Sequence, residues 1–316
     1  MITLSNVRKQ FGDKTILDNI SFTVAAGEIL VLLGTSGSGK TTLLRSINRL
    51  LPLDGGQIMV NNIDIQSLAP ELLRRQMGYV LQYHGLFPHY TVAENIALVP
   101  QMLGWDAAKI QARVHALLEK LHLSPAEHAA MYPGQLSGGQ QQRVGLARAL
   151  AAQPPILLMD EPFGALDPVT RYHVRREVMA LDEIHDKTIV LVTHDVEEAF
   201  EMGHRICLLH EGRIQQLGTP AQLLLHPAND FVQSFFAAQR LSLEWKTIGL
   251  LDLWPFLPLA AVAANVPEIA AQHSSWEALD FLNNHPGKVI NIRNGALHKS
   301  VDSAGLLQAI RQYKQA

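Results

Sequence analysis

Apolar residues recur along this chain as short unbroken runs. Ile29-Leu30-Val31-Leu32-Leu33, Gly78-Tyr79-Val80-Leu81-Gln82, Ile156-Leu157-Leu158-Met159 and Thr188-Ile189-Val190-Leu191-Val192-Thr193 predict buried strands. The first residues differ, because Ile2-Thr3-Leu4 alternates and Phe11-Gly12-Asp13-Lys14 reads as a hairpin turn leading into a strand over 16–24. Gln57-Ile58-Met59-Val60 and Ile63 predict a short hairpin about Asn61-Asn62. The period then lengthens. Glu71 to Gln76 reads as a helix, and residues 85–130 are mostly helical. Thr91-Val92-Ala93-Glu94 forms a capping box, and Ile110, Val114, Leu117, Leu118 and Leu121 make a core stripe over Asp106 to Leu121. Helices are predicted over Gln141 to Ala152, over Arg171 to His185, and up to about Arg240. Arg205 to Leu217 reads as a hairpin across Glu211-Gly212. Beyond 240, Trp276, Leu279, Phe281 and Leu282 mark a helix. Val289 to Leu297 marks a hairpin about Asn294-Gly295, and Ser303 to Tyr313 a last helix.

The stretch that organises the rest is Gly34-Thr35-Ser36-Gly37-Ser38-Gly39-Lys40-Thr41. It fits G-x-x-x-x-G-K-[ST] between a predicted strand and the helix opened by Thr42. Glycines there let backbone N–H groups turn toward phosphate oxygens, and the helix N-terminus adds partial positive charge. In that pattern Lys40 reaches the β- and γ-phosphates and the Thr41 hydroxyl holds Mg²⁺. Leu136-Ser137-Gly138-Gly139-Gln140 before the next strong helix makes a second anion-reading helix end, or simply a well-capped helix. The strand at 156–160 ends in two carboxylates. Asp160 suits Mg²⁺ coordination and Glu161 is placed to activate an attacking water. Gln82 and His194 each stand at the C-terminal end of a predicted strand, where α/β sheets bind ligands. Phe11 offers an aromatic face for a base.

Composition narrows the field. The 316 residues suffice for one large and one smaller domain, and the 47% hydrophobic content supports a sizeable core. Lys and Arg number 26 against 29 Asp and Glu, a net charge of −3, which gives no electrostatic case for nucleic acid. Cys207 is the sole cysteine, so no intrachain disulfide forms and a reducing compartment fits. The first residues lack the basic-then-apolar pattern of a signal peptide. Ile248 to Val266 is largely apolar, but Asp252, Pro255 and Pro258 interrupt it. It is expected to be a buried or docking segment, and the chain to be soluble by itself.

Together these motifs resemble the ATP-binding-cassette (ABC) ATPases over residues 1–240. Gly34–Thr41 looks like Walker A, Ile156–Asp160 like Walker B, and Leu136–Gln140 like the family's signature sequence. The resemblance implies an α/β P-loop NTPase with a RecA-like core, an antiparallel β subdomain and a helical subdomain at about 85–150, followed by a small α+β extension at 241–316. It implies a catalytic set of Glu161, His194, Gln82 and Lys40. The implied nucleotide contacts are Phe11, Gly34, Thr35, Ser36, Gly37, Ser38, Gly39, Lys40, Thr41, Thr42, Gln82, Ser137, Gly138, Gly139, Gln140 and Asp167. Thr41, Gln82 and Asp160 would hold Mg²⁺. Ala165-Leu166-Asp167 stands as the D-loop and His194 as the switch histidine. Two chains would pair head to tail, each sandwiching ATP against the other's signature. Permease subunits, and through them a solute-binding protein, would complete the machine at the cytoplasmic face of the cell membrane. Ile47-Asn48-Arg49-Leu50 and the run from Gly85 to Pro100 are similar to the quaternary-amine uptake ATPases, which take up glycine betaine, choline or carnitine. Importers of amino acids, polyamines or taurine share the plan, so the solute stays open, and a soluble non-transport cassette is the other alternative. The tail resembles one incomplete CBS-like unit and is expected either to regulate transport or to brace the dimer.

Overall fold

Alternation builds the first sheet. β1 (Ile2–Phe11) buries Ile2, Leu4 and Val7, and a bulge with Asn6 at φ 51° accounts for the three-residue step. It pairs antiparallel with β2 (Lys14–Val24) across the Gly12-Asp13 turn. β3 (Ile29–Gly34) then runs with all six residues buried into the glycine loop and α1 (Lys40–Ile47). β4 (Gly55–Val60) and β5 (Ile63–Asp64) form the short hairpin. Asn61 and Asn62 both take positive φ there, as a two-residue turn requires. α2 (Pro70–Arg75) leads to β6 (Met77–Val80). Then come α3 (Val92–Met102), α4 (Ala107–Lys120), α5 (Pro125–His128) and α6 (Gly138–Leu150), of which α3, α4 and α6 pack on one another. β7 (Ile156–Asp160), α7 (Pro168–Met179), α8 (Asp182–His185), β8 (Thr188–Thr193) and α9 (Val196–Met202) follow, and β9 (Arg205–His210) and β10 (Arg213–Gly218) close the series.

These strands make two sheets. The antiparallel sheet has the order β2-β1-β4-β5, and the larger one the order β10-β9-β3-β8-β7-β6. β9, β3, β8, β7 and β6 run parallel, and β3, β7 and β8 are buried along their whole length, as strands covered on both faces must be. Leu43 and Leu44 of α1 share one core with Ile2 and Ile58 of the antiparallel sheet and Leu30, Leu158 and Val190 of the parallel one. The shared core fixes the glycine loop between the two sheets.

The computed structural model describes residues 1–82, 85–258, 266–285 and 289–315. They divide into two compact units, Met1–Leu217 and Gly218–Ala316. The division falls ahead of residue 240, where the family resemblance ends. The reason is that α10 (Pro220–Leu225), α11 (Asp230–Phe236) and α12 (Arg240–Thr247) pack among themselves, and Arg240 Nη2 donates to the Leu224 carbonyl at 3.0 Å. The second unit continues with α13 (Leu250–Leu253), β11 (Glu268–Ala270), α14 (Ser275–Asn284), β12 (Ile290–Asn294), β13 (Leu297–Val301) and α15 (Ser303–Tyr313). β11 runs parallel and β13 antiparallel to the central β12. Ile248, Leu250, Leu253 and Leu257 are buried in this unit's own core with Leu282, Ile292 and Leu306. The start of the 248–266 segment is thus buried, while 259–265 lie outside the described residues. No helix among the described residues is long and apolar enough to cross a membrane.

Several boundaries differ from the expectation. β6 stops at Val80 because its pairing with β7 ends there, leaving Gln82 just beyond the strand. α6 begins at Gly138, with Ser137 as its cap. The helix predicted over Arg171 to His185 starts earlier, on the Asp167 cap, and breaks into α7 and α8 where Leu181 turns extended and buries its side chain.

Candidate functional site

Four parallel strands deliver their C-terminal ends to one edge of the sheet. β3 ends in the glycine loop, β6 just before Gln82, β7 at Asp160-Glu161 and β8 just before His194. A cleft of about 590 Å³ opens there, lined by Phe11, Ser36, Gly37, Gly39, Lys40, Thr41, Thr42, Gln82, Glu161 and His194, with Lys14 and Ile16 beside them. Residues as distant as Phe11 and His194 therefore share one site because the sheet orders them.

The loop's conformation demands glycine at particular places. A side chain at Gly34 would lie 2.1 Å from the Leu209 carbonyl oxygen, so the backbone crosses β9 where no Cβ fits. Gly37 has φ 78°, and an added Cβ would meet nothing within 4 Å. Open space beside a left-handed backbone is a cradle with room for an anion. Lys40 is nearly buried. Its Nζ donates to the carbonyls of Gly34 and Thr35, both at 2.8 Å. Burial pulls its pKa down, and the Glu161 and Asp160 carboxylates oppose that shift.

Of the two carboxylates, Glu161 lines the cleft and Asp160 is buried behind Thr41. Asp160 Oδ1 accepts from the Thr41 hydroxyl at 2.8 Å and Oδ2 from the Tyr79 hydroxyl at 3.2 Å, with the Arg45 guanidinium 3.7 Å away. Burial and then the Asp160 charge push the Tyr79 phenol up, so it stays a proton donor. The Thr41 hydroxyl and the Asp160 carboxylate lie in contact and Gln82 lines the same cleft as Thr41; these are the hard oxygen donors that would hold Mg²⁺, which keeps positions for phosphate and water. Glu161 has φ 46°, rare for a residue with a Cβ, and its N–H donates to the Val192 carbonyl at 3.0 Å. Its Oε2 accepts from Gln82 Nε2 at 3.0 Å, and His194 Nδ1 lies 3.1 Å away. The turned backbone points this carboxylate along the cleft, where it can take a proton from a water held before it.

Other predicted residues lie elsewhere. Ser137, Gly138, Gly139 and Gln140 do not line the cleft. Ser137 and Gln140 form a reciprocal capping box on α6. Asp167 is also outside, where its Oδ1 accepts from the N–H groups of Val169 and Thr170 and caps α7. Those hydrogen bonds, led by Thr170, hold its carboxyl below the usual range. Thr35 and Ser38 sit in the loop, the first lending its carbonyl to Lys40 and the second its hydroxyl, at 3.5 Å. Sequence reasoning missed Lys14 and Ile16, and it missed Tyr79 and Arg45 behind Asp160. The hairpin turn beside Phe11 was the available signal for Lys14.

Comparison with known proteins agrees with this fold. A family model described as ABC transporter matches residues 17–164. The chain is 46% identical over 299 residues to the osmoprotectant import ATP-binding protein OsmV of Salmonella typhimurium, covering 92% of this chain and 76% of that protein. It is 48% identical over 244 residues to the glycine betaine uptake system ATP-binding protein YehX of Escherichia coli, covering 77% of this chain and 79% of that one. Among solved structures, the dimer of MJ0796, a bacterial ABC transporter cassette, superposes with a TM-score of 0.63 at 35% identity, over 69% of this chain and 98% of that one.

Proposed function

The chain belongs to the ABC transporter family as an ATPase subunit of its importers, and on that premise we propose that it drives uptake of a quaternary-amine osmoprotectant such as glycine betaine or choline. In this reading two copies pair head to tail, dock on permease subunits at the cytoplasmic face of the cell membrane, and receive solute through a binding protein. The observation that carries the pairing is the division of the site. One cleft holds the loop, Gln82, Glu161 and His194, while Ser137–Gln140 and Asp167 lie outside it with their backbone N–H groups at helix starts. A second copy completes each site by bringing Ser137–Gly139 of the partner subunit against the nucleotide.

Within such a site the chain's residues have distinct tasks. Phe11 stacks on the base. Lys40 exchanges its loop carbonyls for the β- and γ-phosphate oxygens. Thr41, Asp160 and Gln82 would hold Mg²⁺, which would supply charge neutralisation on the phosphates. Glu161 accepts the proton of the attacking water, and His194 keeps its carboxylate aligned. Support for the solute comes from the relatives, above all the osmoprotectant import protein, whose match runs over most of this chain.

The test is ATP-driven uptake in vesicles carrying this chain and its co-expressed permease, with labelled glycine betaine, choline and an amino acid offered in turn. Uptake of a quaternary amine that stops with Glu161→Gln is the expected result. Uptake of the amino acid alone overturns the solute, and absence of the chain from permease-containing membranes overturns the importer.

A further inference from the structure

His194 is more than half exposed, at 57% of its side chain, and Glu161 Oε2 is its near polar neighbour. Its own packing cannot hold the imidazole in place. Its position is set by the backbone on either side, and both sides are pinned. Thr193, buried at the end of β8, donates its hydroxyl hydrogen to Glu198 Oε2 at 2.9 Å, and its own Oγ1 accepts from the Asp195 N–H at 3.0 Å. Asp195 in turn caps α9 through Oδ1, which accepts from the Glu198 N–H at 3.2 Å. Its Oδ2 accepts from Arg171 Nη1, also at 3.2 Å.

Arg171 belongs to α7 and reaches two further acceptors. Its Nε donates to the Phe163 carbonyl at 3.2 Å and its Nη2 to the Leu166 carbonyl at 3.0 Å. Both carbonyls lie in the loop between Glu161 and Asp167, and the Arg171 N–H closes on the Asp167 carbonyl at 2.8 Å. One guanidinium therefore spans the loop after β7 and the turn that carries His194. A planar fork with five fixed donors suits three acceptors in different directions; an ammonium on a shorter stem does not.

From this geometry we infer that Arg171 is a positioning residue for hydrolysis, a strut that sets His194 against Glu161 and makes that setting follow the 162–167 loop. The inference rests on the functional reading above, in which two copies pair head to tail, and takes the 162–167 loop to lie at that pairing. A displacement at Asp167 moves the Phe163 and Leu166 carbonyls, the strut carries it to Asp195, and His194 shifts with its neighbour. Arrival of the partner is thereby felt at the water-activating carboxylate with no contact between the partner and His194. Arg171 itself lines no part of the cleft.

Steady-state ATPase of the full chain tests this with Arg171→Met, His194→Ala and the double variant, with ATP affinity and Tm measured alongside. A misplaced catalytic group costs on the order of 10²-fold, so Arg171→Met is expected to lower kcat by roughly 10–100-fold with KM and ATP affinity little changed. In the His194→Ala background the same substitution is expected to change kcat less than about twofold, within the ordinary scatter of additivity. Where Arg171→Met does not fold, Asp195→Asn, which keeps the cap and removes the charge, carries the same comparison. Equal losses in both backgrounds overturn the strut alone, as does parental kcat in Arg171→Met. Parental turnover in His194→Ala overturns the catalytic reading, and the strut with it.

Discussion

Glu161 concentrates the chemistry of the site in one backbone torsion. A left-handed backbone at a residue with a Cβ costs on the order of 1–3 kcal/mol, and here the carboxylate it carries meets Gln82 and His194. Glu161→Gln keeps the shape and removes the base. Turnover should fall by about 10²–10⁴-fold while ATP binding persists, and gel filtration should show an ATP-bound dimer accumulating. Near-parental turnover would remove Glu161 from its role. Phe11 stands half exposed at the mouth of the cleft, 50% accessible, with the Lys9 ammonium 5.3 Å from its ring centroid. Stacking on an aromatic side chain contributes about 1–3 kcal/mol per base, so Phe11→Ala should raise KM for ATP by about tenfold or more with little change in kcat. An unchanged KM would place the base elsewhere. The carboxylates, the loop and Phe11 were legible in the sequence because each sits in a local pattern. Tyr79 was not, since it meets Asp160 across 81 residues and only because β6 lies beside β7.

The elements were legible in proportion to their burial. β3, β7 and β8 carry polar residues only at their ends, so unbroken apolar runs announce them. β11 has three residues, one of them Glu268, and no period reveals it; only its pairing with β12 makes it a strand. No glycine or proline marks the break between α7 and α8. α9 holds a feature that no pattern shows. Burial pushes the Glu198 carboxyl up to about 8, and the Asp195 charge adds to this while Thr193, Arg175 and Arg171 oppose it. The folded chain therefore keeps a proton that the unfolded chain has released, between the ordinary value of 4.5 and about 8. The unfolded state binds fewer protons across that window, so this group's contribution to stability is lost as pH rises through it and is level above. Glu198→Gln removes the dependence. Its Tm relative to the parent should climb steadily over that window and then stay constant, as followed by thermal melts at closely spaced pH. A parallel pair of curves would show that Glu198 is not protonated in the fold.

At the scale of the whole molecule, the two units divide the labour. Every residue lining the cleft lies before 195, and the second unit has its own core of α and β elements in the order β11-α14-β12-β13-α15. The hairpin and last helix of that unit were legible from their periods; the assignment of α10–α12 to it was not, because helix packing across a boundary leaves no mark in local spacing. Ending the chain at Leu217 should leave ATP affinity within about twofold, since no binding contact is removed. If the second unit regulates transport, uptake in vesicles then loses its response to ionic strength; if it braces the dimer, dimers weaken and activity falls uniformly. The central claim is that hydrolysis takes place in a site completed by two chains, and mixing two inactive variants tests it most directly. Lys40→Ala loses the phosphate-directed cation, and Ser137→Arg places bulk and charge where the other chain's nucleotide docks. Each homodimer has two damaged sites. In the mixed dimer both lesions fall in one site and the other is whole. Partial recovery of ATPase on mixing is the predicted result; verified subunit exchange with no recovered activity would contradict it.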